Sequence, residues 1–130
     1  MAEVIVGDLP MYYAWHGAAD AEPLVLISGL GLDVSELPPS LLAGLARRYR
    51  VLVFDNRGAG RTGAPPPPYT VEQMAADTAG LMRACGLARA TVLGVSLVTA
   101  ASGSGVLRRR RERRRGPLRR VVASCPRPHP

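Results

Sequence analysis

Apolar residues are concentrated in three short runs: Pro23 to Ile27 (PLVLI), the VLVF of Tyr49 to Phe54, and Thr91 to Val95. Each is bounded by turn residues, a pattern that suits strands buried on both faces of a parallel sheet. Helical spacing fills the gaps between them. Ser40 to Arg48 reads SLLAGLARR, with Ser40 as the predicted N-cap and arginines in the last turn. Thr70 to Gly86 predicts a second helix. Thr70 and Gln73 have capping-box spacing, Val71, Met74, Ala75, Thr78, Leu81 and Met82 share one face, and Gly86 closes the end. Ahead of these, Glu3 to Val6 and Met11 to Trp15 flank Gly7-Asp8-Leu9-Pro10 and read as an antiparallel hairpin, with Ala18 to Glu22 as a polar loop. Pro65 to Pro68 read as a rigid stretch of a long connecting loop. The order β-β-β-α-β-α-β implies right-handed crossovers and an α/β fold with a mostly parallel sheet.

The pattern fails after Leu97. Residues 98–130 have no apolar periodicity, and Arg108 to Arg115 (RRRRERRR) is a block of like charge followed by a Pro-rich end. This tail is expected to be disordered. Charge divides at the same place: residues 1–97 carry 7 Arg against 9 Asp and Glu (net −2), and residues 98–130 carry 10 Arg against one Glu (net +9). The overall charge of +7 therefore belongs to the tail and is no nucleic-acid signature of the whole chain. All 17 basic residues are Arg, which with the many Ala, Gly and Pro points to GC-rich coding. Cys85 and Cys125 lack metal-ligand spacing and are expected to be free thiols. The start, Met1-Ala2-Glu3-Val4, has no signal-peptide character, and no run approaches the roughly 18 apolar residues of a membrane span. The expected location is cytoplasmic, without membrane association.

The chemistry converges on Ala90 to Leu97, ATVLGVSL, an apolar run delivering Gly94-Val95-Ser96. That is the opening of a strand–turn–helix nucleophile elbow, G-x-S-x-G, although position 98 holds Val98 instead of the second glycine. Residues two before and two after the serine pass close together in such a turn, and the branched Cβ of Val98 crowds it.

Four features in order carry a resemblance. A strand ends in Ser28-Gly29-Leu30-Gly31. Asp55-x-Arg57-Gly58-x-Gly60 follows the next strand. Tyr69-Thr70 opens a helix that contains Asp77 and ends in Cys85-Gly86-Leu87. Gly94-x-Ser96 comes last. Residues from about 10 to 97 resemble the N-terminal half of an α/β-hydrolase-fold protein. The resemblance implies that Ser96 is a nucleophile and that the backbone N–H groups of Leu30 and Leu97 form an oxyanion hole. Ser28 stands where that family usually has His, a tolerable change because the donors are backbone groups. The resemblance assigns Asp55 and Arg57 a structural role, bracing the loop beside the site. A serine in place of a carboxylate nucleophile leaves esters, lactones, thioesters and C–C bonds as substrate classes. No cofactor or metal is implied.

Serine needs a general base and an orienting acid. After Ser96 the only acid is Glu112, amid seven arginines, and the only histidine is His129, between two prolines. Neither is assigned. His16 lies at the end of the hairpin, with a surface or core role expected. The chain is thus expected to hold a partial α/β-hydrolase domain in residues 1–97 and an Arg-rich tail in 98–130, the latter derived from a reading-frame shift near codon 98. It is expected to be inactive as written. Thr91 to Val95 is expected to form an exposed sheet edge that causes poor solubility. A non-catalytic pseudo-enzyme is one alternative. Another is nonspecific polyanion or nucleic-acid binding through the tail, which lacks interleaved aromatics. Composition leaves the oligomeric state open.

Overall fold

The computed structural model describes residues 1–29 and 31–94, together with the backbone of 108–111 and 121–124. Among the described residues seven strands form one mixed sheet, in the spatial order Ala2–Val6 (β1), Leu9–His16 (β2), Tyr49–Phe54 (β4), Glu22–Ile27 (β3), Arg89–Gly94 (β5), Val121–Ser124 (β7) and Arg108–Arg111 (β6). β1 (Ala2–Val6) and β2 (Leu9–His16) make the N-terminal hairpin. β3 (Glu22–Ile27), β4 (Tyr49–Phe54) and β5 (Arg89–Gly94) are the three buried strands expected from the apolar runs. β3 is parallel to both neighbours, β4 and β5, whereas β2 meets β4 antiparallel.

The continuous apolar runs are explained by two cores, one on each face of the sheet. Along β3, Leu24 and Leu26 face one core while Val25 and Ile27 face the other. Along β4, Val51 and Val53 join the first set and Leu52 and Phe54 the second. Because a strand sends successive side chains to opposite faces, both positions of each pair must be apolar. Helix α2 (Val71–Ala84) covers one face through buried Ala79, Leu81 and Met82. Helix α1 (Pro39–Ala46) covers the other more loosely, through half-buried Leu41, Leu42 and Leu45. Opposite placement of the two crossovers follows from right-handedness, since the chain moves one way from β3 to β4 and the other way from β4 to β5.

Several boundaries differ from expectation. The hairpin turn is only Gly7-Asp8, because Val6 pairs with Leu9, and Leu9 and Pro10 join β2. β4 pairs with β2 only from Tyr13 onward, so the missing N–H of Pro10 interrupts no ladder to a second strand. Helix α1 starts at Pro39 with Pro38 as N-cap and no side-chain cap, so Ser40 lies inside the first turn. Pro at the first position presets the helical φ and forgoes an N–H that lacks an intrahelical partner anyway. The expected capping box of α2 is present between Thr70 and Gln73. The tail corrects two expectations. No strand is expected in residues 98–130, yet β6 (Arg108–Arg111) and β7 (Val121–Ser124) occur there. β7 pairs with Arg89 to Val92, so β5 is not the open edge it is expected to be. Among the described residues no helix is long and apolar enough to cross a membrane.

Candidate active site

The three parallel strands all end at one edge of the sheet. Leu26 pairs with both Val53 and Leu93, and Ile27 pairs with Gly94. The carboxyl ends of β3 at Ile27, β4 at Phe54 and β5 at Gly94 are therefore neighbours, with Ser28 and Asp55 opening the loops after the first two. The carboxyl edge of a parallel sheet is where α/β folds place ligand chemistry. The expected nucleophile Ser96, the expected donors Leu30 and Leu97, and Val98 lie outside the described residues, as do Glu112, Cys125 and His129. What the structure describes is the framework at the carboxyl ends of β3, β4 and β5.

That framework centres on Asp55 and Asn56, both buried at the end of β4. One Asp55 carboxylate oxygen (Oδ1) accepts from the Val34 N–H at 2.8 Å, and the other (Oδ2) accepts from the Arg61 N–H at 3.0 Å. The carboxylate thus ties the segment after β3 to the loop after β4. Gly60, at φ +52°, sits directly against this carboxylate, where a Cβ would lie 2.2 Å from Oδ2. Only glycine fits that approach, and it is also the residue for which a positive φ carries no steric penalty. Asn56 donates from Nδ2 to the Ser28 carbonyl at 3.2 Å. Ser28, itself buried, donates from Oγ to the Leu32 carbonyl at 3.2 Å, and the Leu32 N–H bonds the Gly29 carbonyl at 3.2 Å. With Gly31 at φ +76°, these bonds close a turn between Gly29 and Leu32.

A second tie runs to α2. Arg57 grips Asp77 with two parallel bonds, Nε to Oδ2 at 2.7 Å and Nη2 to Oδ1 at 2.9 Å. Side-chain exposures of 15% and 10% make this a largely buried pair, and bidentate geometry makes it specific. Hydrogen bonding to Asp77 holds the Arg57 guanidinium even further above its ordinary pKa, against the opposing effect of burial. The Tyr69 ring lies 5.8 Å from the Arg57 guanidinium carbon and covers Gly58. The bracing role expected for Asp55 and Arg57 is thus carried by identifiable bonds.

Sequence reasoning missed four contributors. Asp33 and Glu36 form a reciprocal capping box on a short 3-10 turn, Val34–Glu36, whose D-x-x-E spacing is the available signal. Hydrogen bonds from Ser35 hold the Asp33 carboxyl below the usual carboxylate range. Asp77, noted only as part of the helix, is the partner of Arg57. Asn56 has no signature in sequence at all.

The remaining candidate groups lie elsewhere. His16 pairs with Val51, three ladder positions from the Tyr13–Phe54 pair and thus roughly 10 Å along the strand from the site edge. Cys85, at the C-terminal end of α2, is a free thiol as expected, and burial pushes its pKa up, partly opposed by Arg50. Among the described residues no group of acids, histidines or cysteines could hold a metal.

Comparison with known proteins agrees with this architecture. A protein of Azorhizobium caulinodans carrying the name carbamate hydrolase RutD is 36% identical over 88 residues, which is 68% of this chain and 32% of the relative. The 3-oxoadipate enol-lactonase 2 of Acinetobacter baylyi is 30% identical over 90 residues, 69% of this chain and 33% of its own length. The chain spans about a third of the length of these curated relatives. The crystal structure of the enol-lactonase from Burkholderia xenovorans LB400 superposes with a TM-score of 0.73 at 35% identity, covering 78% of this chain and 39% of that one. The sequence pattern of the alpha/beta hydrolase fold matches residues 22–102, more than half of the chain. With its strand order, its two helical faces and its braced loops at the carboxyl edge, the chain belongs to the α/β-hydrolase-fold family.

Proposed function

We propose that residues 22–97 supply the nucleophile and oxyanion-hole side of a serine hydrolase that acts on an ester, lactone or related acyl substrate. The observation that carries this reading is the pairing of Ile27 with Gly94. It sets the start of the Ser28–Gly31 loop beside the point from which Val95-Ser96-Leu97 departs. In this reading Ser96 attacks the substrate carbonyl, and the N–H groups of Leu30 and Leu97 stabilise the oxyanion that forms. One such donor lowers the barrier by about 3 kcal/mol. The names of the relatives support the class, since a carbamate and an enol-lactone both present a carbonyl to attack. No cofactor takes part.

Residues 1–130 offer no assigned base. His16 sits away from the site edge, Glu112 stands among arginines, and His129 lies between two prolines. The 130-residue chain by itself is therefore proposed to lack turnover. It would act as a pseudo-enzyme that keeps the fold, with nonspecific, salt-sensitive polyanion contact through the arginine-rich tail.

Incubation with a fluorophosphonate and, separately, with p-nitrophenyl acetate tests both parts. Slow phosphonylation at Ser96, lost in Ser96→Ala, is expected without steady-state ester release above buffer. Modification at a different residue would remove Ser96 from its role. Ester turnover abolished by Ser96→Ala would overturn the proposed lack of activity.

A further inference from the structure

We propose that Asn56 is a positioning residue for the oxyanion side of the site, acting with Ser28 to fix the turn that follows β3. The inference rests on the hydrolase reading above for its purpose but on separate geometry for its content. Asp55 and Asn56 are adjacent, yet they hold opposite ends of one loop. Asn56 Nδ2 bonds the Ser28 carbonyl at the loop's entry, and Asp55 Oδ1 bonds the Val34 N–H at its exit. Between these clamps, Ser28 Oγ bonds the Leu32 carbonyl and the Leu32 N–H bonds the Gly29 carbonyl. Loop carbonyls from Ser28, Gly29 and Leu32 are thus all engaged by donors of this framework. This matters because a peptide flip in a glycine-rich turn exchanges a carbonyl for an N–H at nearly the same place. A carbonyl oxygen aimed at a developing oxyanion repels it, whereas an N–H stabilises it. Gly29 and Gly31 give the turn the freedom to flip, and φ +76° at Gly31 shows the conformer that is held. Fixing the Ser28 carbonyl fixes the peptide plane it shares with the Gly29 N–H, the plane immediately before the Gly29 carbonyl that the Leu32 N–H holds and whose peptide carries the Leu30 N–H.

Asn56 is 3% exposed and Ser28 is 1% exposed, so water does not replace the bond at either group. The amide of Asn56 donates here, and neither a carboxylate nor an apolar isostere at that position can do so.

The experiment compares Asn56→Leu and Asn56→Asp with the unmodified 130-residue chain by residue-resolved amide hydrogen exchange. A second measurement follows the rate of Ser96 phosphonylation against fluorophosphonate concentration. In both variants, exchange at Gly29, Gly31 and Leu32 is expected to rise about tenfold relative to the amides of Val25, Leu26, Leu52 and Val53, the scale of one lost buried hydrogen bond. The limiting phosphonylation rate is expected to fall by a similar factor with the half-saturating concentration unchanged. A uniform rise across the loop and both strands would reduce Asn56 to a structural residue and overturn the proposal, as would no rise in the loop. Absence of phosphonylation in the unmodified chain would count against the hydrolase reading, while the exchange comparison still decides the role of Asn56.

Discussion

Arg57 and Asp77 illustrate how much one residue's role depends on a distant partner. The two are 20 positions apart and join the loop after β4 to the middle of α2. Desolvating both groups is costly, but removing one leaves the other buried and uncompensated, which is worse. Asp77→Ala is expected to lose about 3 kcal/mol of stability. Arg57→Met added to it is expected to recover part of that loss by removing the stranded guanidinium. Chemical denaturation of the three variants measures this, and a double variant less stable than Asp77→Ala would show that the cost lies in packing around Tyr69. Residues of this kind were only partly legible. Asp55 and Arg57 stand out in the sequence because of the glycines around them, and Gly60 earns its place by touching the Asp55 carboxylate. Asn56 does not stand out, because its hydrogen-bond partner is a backbone carbonyl 28 positions away and leaves no compositional trace.

Elements were read best where local chemistry and tertiary packing agree. α2 has the expected cap, face and ending, and Asp77 and Thr78 are the polar members of its buried side. Its Thr70 side chain accepts from the Gln73 N–H at 3.1 Å while Gln73 reaches back to the Thr70 N–H at 3.0 Å. Thr70→Ala is expected to cost about 1 kcal/mol, with Thr70→Gly closer to neutral. Thermal melts of the two variants test this order, and equal losses would remove the cap from the account. β4 occupies the expected Tyr49–Phe54, since its alternation between two cores leaves no other register for an apolar run of that length. α1 was placed less well. The sequence predicts a side-chain cap at Ser40, whereas Pro38 and Pro39 start the helix through backbone geometry alone. The strands at Arg108–Arg111 and Val121–Ser124 are not legible in the sequence, because the first is all arginine and the second has an apolar run of only three residues, Val121 to Ala123.

The sheet as a whole is closed on the β5 side by the antiparallel ribbon of β7 and β6. That changes the expected behaviour of the molecule. A soluble 130-residue chain is compatible with this arrangement, whereas a chain ending at residue 97 would leave the β5 backbone unpaired beside an apolar core. Light scattering at matched concentration is expected to show self-association of the 1–97 chain well beyond that of the full chain. Equal behaviour would mean that β7 gives no protection. The outermost strand, β6, is four consecutive arginines, a sequence whose repulsion discourages another copy from extending the sheet. The position of β3 also orders events in time. β1, β2, β3 and β4 all lie within the first 54 residues, and β3 and β4 are joined by one short crossover. β5 must return past α1, β4 and α2 before it meets β3. Pairings between strands distant in sequence are slow to form, although lengthening the intervening chain adds little to the equilibrium cost. The β3–β4 scaffold and its clamped turn can therefore mature before β5 arrives. A newly made molecule is therefore expected to set the turn after β3 first and to dock β5, the strand that leads toward the proposed nucleophile, second.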